Sequence, residues 1–168
     1  MGPQTHADQL AKTLSYVETG QAEGASLMTG GVRMTTPNTA AGYFVSPAVF
    51  RDVAPSMRIA QEEIFGPVVA IIPFDTEEEA IEIANGTEYG LVAGLWSSNL
   101  ARAHRVASRI EAGTVWINTY RYLRPGIPYG GLKISGLGRE NGFEGIEHYL
   151  ETRATVVSLS ENYPDAYA

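Results

Sequence analysis

The sequence predicts an α/β fold in which helices cover both faces of an open parallel sheet. Between residues 68 and 118, short apolar runs alternate with amphipathic segments in the order strand, helix, strand, helix, strand. The connections are short, and successive strands joined by helical crossovers run parallel with a right-handed sense. The chain of 168 residues is long enough for one domain with a core of its own.

Apolar residues at three- and four-residue spacing predict the helices. The first helix carries Leu10 and Val17 on one face, and residues 5–8 (Thr-x-x-Asp) resemble a capping box at its start. Residues 76–79 (Thr-x-x-Glu) form a second capping box, and that helix is expected to end at Gly86. The predicted helices are residues 7–19, 76–85, 100–110 and 143–150.

Apolar runs of strand length predict the strands. The run at residues 68–72 is apolar throughout, which is typical of a strand buried on both faces. Pro47 follows the first run and places it at a sheet edge or at a strand end. The predicted strands are residues 42–46, 68–72, 91–96, 114–118 and 154–159.

The composition argues against several classes of function. With 12 basic and 19 acidic side chains, the chain lacks the surplus of cations that nucleic-acid binding needs. It has no cysteine, and its three histidines are far apart, so a thiolate nucleophile, a disulfide or a Cys or His metal site is not expected. No apolar run approaches the roughly 20 residues of a membrane span, and the first residues do not form a signal peptide. We expect a cytoplasmic protein with no membrane or nucleic-acid partner.

The first candidate site is residues 61–67 (Gln-Glu-Glu-Ile-Phe-Gly-Pro), just before a buried strand. Loops at strand ends of parallel sheets commonly bind ligands. A carboxylate of Glu62 or Glu63 could accept hydrogen bonds from a vicinal diol such as a ribose, and Phe65 offers a flat apolar face to a ring. The alternative is a solvated glutamate pair beside a core phenylalanine.

The second candidate site is the glycine-rich stretch at residues 128–142. Its glycines could cradle a phosphate, with Lys133 or Arg139 as the countercharge. However, the spacing of its glycines misses the dinucleotide-binding pattern by one residue, and no GxxxxGK[ST] string is present. A structural loop that packs against neighbouring backbone is the favoured interpretation.

Three strings carry a resemblance to a known family: residues 61–67, residues 113–118 (Gly-Thr-Val-Trp-Ile-Asn) and the loop at residues 128–140. In this order they resemble the C-terminal third of NAD(P)-dependent aldehyde dehydrogenases. The resemblance extends over residues 2–158. Supporting motifs in the same order are residues 43–50, 87–91 and 149–152.

The resemblance implies a chemistry and a set of roles. In the family, a cysteine thiolate attacks the aldehyde, hydride passes to the nicotinamide of NAD or NADP, and water activated by a glutamate releases the carboxylic acid. Glu63 stands where a carboxylate holds the nicotinamide-ribose hydroxyls, and Phe65 where an aromatic ring packs against the nicotinamide. Gln9 and Lys12 come near the same ribose more loosely. The substrate tunnel would be lined by Asn118, Tyr120, Arg121, Leu123 and Tyr129, of which Arg121 indicates a polar or anionic aldehyde.

The resemblance also implies what this chain lacks. The cysteine nucleophile, the glutamate base, the oxyanion asparagine and the pyrophosphate loop of the family lie upstream of the point matched by Gly2. We therefore expect the chain to be inactive alone and to meet a small aldehyde only in a complete enzyme. Neither the aldehyde nor the choice between NAD and NADP follows from the sequence.

On this resemblance, residues 1–150 form a partial catalytic domain, and residues 151–168 form a C-terminal strand and tail. Residues 155–159 resemble the strand that joins the oligomerisation sheet of a neighbouring subunit, which predicts a homo-oligomer. The alternative is a non-enzymatic fragment that associates with itself through exposed strand edges.

Overall fold

A computed structural model of the chain describes residues 1–159. Helices and strands alternate along most of this length, as the sequence predicts. The helices are α1 (Ala7–Ala22), α2 (Arg58–Gln61), α3 (Glu77–Asn85), α4 (Leu100–Ala107) and α5 (Glu144–Glu147). The strands are β1 (Ser26–Thr29), β2 (Ala48–Arg51), β3 (Val68–Ala70), β4 (Tyr89–Gly90), β5 (Val92–Leu95), β6 (Thr114–Ile117) and β7 (Leu132–Lys133).

The strands of the described residues form small mixed sheets. β2 lies between β1, which is antiparallel to it, and β3, which is parallel to it. β5 and β6 form a parallel pair, and β4 and β7 an antiparallel pair. The α/β class is confirmed, but the expectation of one open parallel sheet is wrong for residues 1–159. The reason is that β3 pairs with β2 and not with the next parallel strand, so α3 connects two different sheets.

The core lies where α1 packs on β2 and α2. Phe50 is fully buried at its centre. Gly20 brings α1 close to these elements, since a Cβ atom there would lie 2.9 Å from Ile59 and 3.2 Å from Phe50. This packing fixes α1 relative to the segment that follows α2. The buried cluster consists of Val17, Ala25, Ala48, Phe50, Val53, Ile59 and Ile64.

Helices α3 and α4 are joined by ion pairs. Arg105 forms two hydrogen bonds with Glu77, at 2.7 and 2.8 Å, and Arg109 pairs with both carboxylate oxygens of Glu78. These arginines lower the pKa of both carboxyls. The predicted start of α3 is confirmed, because the Thr76 hydroxyl accepts a hydrogen bond from the Glu79 N–H.

Several elements differ from the sequence predictions. α1 continues past Gly20 to Ala22, α4 ends at Ala107 and β3 ends at Ala70. α1 begins after His6, whose Nδ1 accepts from the N–H of Gln9, so the capping residue is His6 and not Thr5. The run predicted as a strand at residues 42–46 makes only an isolated bridge, from Val45 to Arg33, and the strand there is β2, after Pro47. β1 was not predicted from the sequence. The strand predicted at residues 154–159 is not formed: residues 151–159 are exposed and pair with no strand of the described part of the chain. The remainder of the predicted tail, residues 160–168, lies outside the described residues.

Gly66→Ala is expected to destabilise the chain by about 2 kcal/mol, because overpacking of a filled site has this order of cost. A Cβ atom at residue 66 would lie 2.4 Å from Oγ1 of the fully buried Thr13. Urea unfolding measures the effect. Gly126→Ala is the matched control, since its Cβ would meet nothing within 4 Å. Equal stability of the two variants would contradict the close contact.

Candidate functional site

The loop after α2 presents two of the predicted site residues to solvent. Ile64 points into the core and is 8% exposed, whereas Phe65 is 76% exposed and has a left-handed backbone with φ +58°. Glu63 is also exposed. A non-glycine residue in this conformation is uncommon. The buried Ile64 therefore anchors a loop from which Glu63 and Phe65 project.

Side chains of α1 hold this loop by its backbone. Nε2 of Gln9 donates to the carbonyl oxygens of Ile64 and Phe65, at 3.1 and 2.9 Å. Nζ of Lys12 donates to the carbonyl oxygen of Glu63 at 2.9 Å. The structure thus brings together all four predicted cofactor residues. In the described structure, Gln9 and Lys12 act by binding three successive carbonyl groups.

The two neighbouring glutamates have different environments. Glu62 accepts two hydrogen bonds from Arg58, at 2.8 and 2.9 Å, and one from the hydroxyl of Tyr16 at 2.5 Å. The hydrogen bonds from Arg58 and Tyr16 lower the pKa of Glu62 to about 2. The same contact with Glu62 raises the pKa of Tyr16. Within residues 1–159, Glu63 has no ion pair, so its carboxylate is available to a ligand.

Sequence reasoning did not single out Tyr16, Arg58 or Thr13. The spacing of Arg58 and Glu62 could have indicated their ion pair, because side chains four positions apart meet on a helix. Tyr16 is 46 positions from Glu62, and Thr13 lies similarly far from Gly66, so no local pattern indicates either contact.

A cleft of about 510 Å³ opens beside the loop. A second cleft contains Tyr129 and the glycine-rich segment. The two clefts adjoin each other, because Leu91 and Ser135 line both of them. The first cleft is bordered by Ala60, Gln61, Glu62, Glu63, Thr87, Tyr89, Leu91, Ile134 and Ser135.

The basic side chains of the glycine-rich segment bind backbone carbonyl groups of the protein. Nζ of Lys133 donates to the carbonyl oxygens of Asn85 and Thr87, at 2.7 and 3.0 Å, and lies 2.8 Å from a carboxylate oxygen of Glu111. Because an ammonium group has three donors, Lys133 has none left for a phosphate. Arg139 donates to two carbonyl oxygens of its own loop. The geometry therefore favours the structural interpretation over a phosphate site.

The predicted tunnel residues follow β6. Asn118 exchanges two hydrogen bonds with the backbone of Ser97, at 2.8 and 2.9 Å. Tyr120 packs edge-on against Trp116, with ring centroids 5.2 Å apart. Arg121 and Leu123 are exposed on the same loop. Tyr129 is held separately, by two backbone hydrogen bonds with Glu140.

Comparison with known proteins identifies the family. The model of the aldehyde dehydrogenase family matches residues 1–155. The chain belongs to the aldehyde dehydrogenase family. It is 46% identical over 159 residues to betaine aldehyde dehydrogenases from strains of Cereibacter sphaeroides, a match that covers 95% of this chain and 32% of the relative. The chain thus spans about a third of the length of these relatives.

Solved aldehyde dehydrogenase structures share the fold. One from Burkholderia cenocepacia superposes with a TM-score of 0.95 at 45% identity, covering 99% of this chain and 34% of that one. Betaine aldehyde dehydrogenase from Staphylococcus aureus, solved in complex with NAD+, gives a TM-score of 0.88 at 40% identity, with coverages of 96% and 34%. An aldehyde dehydrogenase of Mycobacterium tuberculosis complexed with NAD+ gives 0.90 at 43% identity, with coverages of 97% and 33%. NAD(P) is therefore the cofactor class of this family.

No helix among residues 1–159 is long and apolar enough to cross a bilayer. Over the same residues, no group of three or more acidic, histidine or cysteine side chains is arranged to hold a metal ion.

Glu62→Gln is expected to lower the free energy of unfolding at neutral pH. As the pH is lowered, the free energy of unfolding of this variant should fall less steeply than that of the wild type. The folded-state pKa of about 2 lies below the ordinary value of 4.5, so the Glu62 carboxylate stabilises the fold above about pH 4.5. That contribution is lost as the pH falls toward 2. Urea unfolding across this pH range measures it. Glu18→Gln, at an exposed position of α1, is the control; parallel pH curves for wild type and Glu62→Gln would contradict the prediction.

Proposed function

We propose that this chain supplies the nicotinamide-ribose contacts and part of the substrate tunnel of an NAD(P)-dependent aldehyde dehydrogenase, which converts an aldehyde to a carboxylic acid. The observation that carries the proposal is the loop held by α1. Gln9 and Lys12 bind the carbonyl groups of residues 63–65 and leave the Glu63 carboxylate and the Phe65 ring exposed.

The exposed groups fit a nicotinamide ribose. A carboxylate has two oxygens that can accept from the two hydroxyls of a vicinal diol, and the Glu63 carboxylate forms no ion pair within residues 1–159. Phe65 offers a flat face on which a planar ring can stack. The bound cofactor supplies the hydride acceptor. The role of this chain is to hold the ribose by Glu63, so that the nicotinamide is oriented against Phe65.

The substrate side of the proposal rests on the loop after β6. Asn118 and Tyr120 are fixed by Ser97 and Trp116, so their side chains have defined positions at the strand end. Tyr129 lies in the cleft that adjoins the one beside Glu63. In the proposal these residues line the path of the aldehyde, together with Arg121 and Leu123.

We infer that these 168 residues do not oxidise aldehydes alone. The sequence contains no cysteine, so no thiolate is present to add to the carbonyl carbon. An aldehyde has no hydride to release until a nucleophile has converted its carbonyl carbon into a tetrahedral centre. The thiolate must therefore come from a segment outside this sequence.

Glu63→Gln is expected to weaken NAD+ binding by about tenfold, because a hydrogen bond to a charged acceptor contributes about 1.5–3 kcal/mol. Calorimetric titration of the purified chain with NAD+ measures the change. Glu18→Gln is the control and should bind as the wild type does. Equal affinities of wild type and Glu63→Gln would remove Glu63 from the cofactor site.

The same variants test the reaction when the chain is combined with an upstream fragment of a relative that carries the cysteine. The wild-type combination is expected to regain NAD+-dependent aldehyde oxidation, and Glu63→Gln to slow hydride transfer through misplacement of the ribose. NADH absorbance under single-turnover conditions measures this step. An unchanged rate with Glu63→Gln would contradict the proposed role.

A second candidate function is self-association. Within residues 1–159, β3 and β5 each pair along one edge only. Val156 and Leu159 are 92% and 96% exposed in a segment without secondary structure. Unpaired edges and an extended apolar segment can combine by strand addition. In this reading residues 155–159 pair with a second copy of the chain.

Val156→Pro is expected to lower the native mass toward 18.1 kDa, because proline removes a backbone donor from an intermolecular ladder. Val156→Ala keeps that donor and is the control. Light scattering after size-exclusion chromatography measures the mass. A wild-type chain that is monomeric at every concentration tested would exclude this function.

A further inference from the structure

We propose that Asn141 is a modification site, where the side-chain amide is converted spontaneously to aspartate and isoaspartate by reaction with the backbone nitrogen of Gly142. Asparagine is a thermolabile residue. A glycine after it favours this reaction, because glycine has no Cβ to shield its nitrogen or to restrict its backbone. The sequence contains two such Asn-Gly pairs, at residues 85–86 and 141–142. The structure leaves only the second pair free to react.

The reaction needs no reagent other than water. The nitrogen of Gly142 attacks the side-chain carbonyl carbon of Asn141, a C–N bond forms, and the amide nitrogen leaves as ammonia with the displaced proton. The product is a five-membered succinimide ring. Water then breaks one of the two C–N bonds of the ring. Cleavage at the side-chain carbonyl gives aspartate, and cleavage at the backbone carbonyl gives isoaspartate, whose main chain is longer by one carbon.

Asn85 is protected by its contacts. Its Nδ2 donates to the carbonyl oxygen of Arg109, and its Oδ1 accepts from the N–H of Glu111, both at 2.9 Å. Asn85 is also the last residue of α3, so its backbone is helical. Because both ends of the side-chain amide are fixed to the segment between α4 and β6, its carbonyl carbon is not free to turn toward the nitrogen of Gly86.

Asn141 has no comparable restraint. It is exposed, and its side chain makes no hydrogen bond or ion pair within residues 1–159. It lines the cleft that contains Tyr129, so water has access to it. Its backbone is left-handed, with φ +58°, a conformation that asparagine adopts more readily than most residues. The side chain is therefore free to rotate toward the nitrogen of Gly142.

Few contacts hold the backbone around Asn141. The N–H of Gly142 donates to the carbonyl oxygen of Pro125 at 2.8 Å, and the N–H of Gly145 donates to that of Asn141 at 3.1 Å. The helix that follows, α5, has four residues and buries none of them. Exposed segments with few buried contacts open locally at low free-energy cost. Such opening releases the nitrogen of Gly142 for attack.

The modification is expected to change the wall of the cleft. The backbones of Tyr129 and Glu140 exchange two hydrogen bonds, at 2.8 and 2.7 Å. Both products place a new negative charge next to Glu140, and isoaspartate also lengthens the main chain directly after it. The pairing of Glu140 with Tyr129 should therefore be disturbed as the modification proceeds.

The test incubates the purified 168-residue chain in mildly alkaline buffer and follows both Asn-Gly pairs by peptide mass spectrometry, with fragmentation that separates aspartate from isoaspartate. Asn141 is expected to react about tenfold faster than Asn85, because Asn85 must first break two hydrogen bonds. In concentrated urea the two rates should be similar, because the unfolded pairs share the same local sequence. Equal rates in the folded chain, or an Asn141 that reacts only in urea, would overturn the proposal.

Asn141→Gly is the matched variant, because glycine adopts the left-handed conformation without strain and carries no amide. In the wild type, new backbone amide signals of Tyr129 and Glu140 should grow in NMR spectra at the rate at which isoaspartate forms. The variant should show no such change over the same time. Unchanged signals in a fully modified wild type would contradict the effect on the cleft. The experiment uses no cofactor, so the NAD+ titration with Glu63→Gln can fail or succeed independently of it.

Discussion

The contact between α1 and the loop after α2 is the constraint on which the candidate site depends. Gly66 lies so close to the buried Thr13 that no side chain fits between them. This approach brings the amide of Gln9 and the ammonium of Lys12 within hydrogen-bond distance of three loop carbonyl groups. The left-handed conformation of Phe65 is thus maintained by tertiary contacts, and these leave its ring outside the core.

Charged residues near the site divide into those that hold the fold and those that remain available. Glu62 is fully engaged by Arg58 and Tyr16, whereas the adjacent Glu63 has no ion pair in the described part of the chain. Lys133 is also fully engaged, since its three donors are all used.

The described residues form only small sheets of two or three strands. Residues 1–159 place β3 and β5 in separate sheets, each paired along one edge. The chain spans about a third of the relatives that it matches. Isolated two-stranded sheets are only marginally stable in water. Packing of α1 on Phe50 therefore contributes more to the order of the described residues than the exposed ion pairs of Arg105 and Arg109 with α3 do.

The sequence by itself determined the α/β class and the parallel pairing of β5 with β6, because both follow from local periodicity. It also determined the cap of α3 at Thr76 through the local capping pattern, and the family through the order of its motifs. Tertiary structure alone decided which glutamate is free and where Gln9 and Lys12 act. The contacts responsible join residues 46 to 56 positions apart, and no local pattern encodes them. It also decided that β3 pairs with β2 and that residues 151–159 form no strand, because strands form by pairing between segments far apart in the sequence, and none of the described strands pairs with residues 151–159.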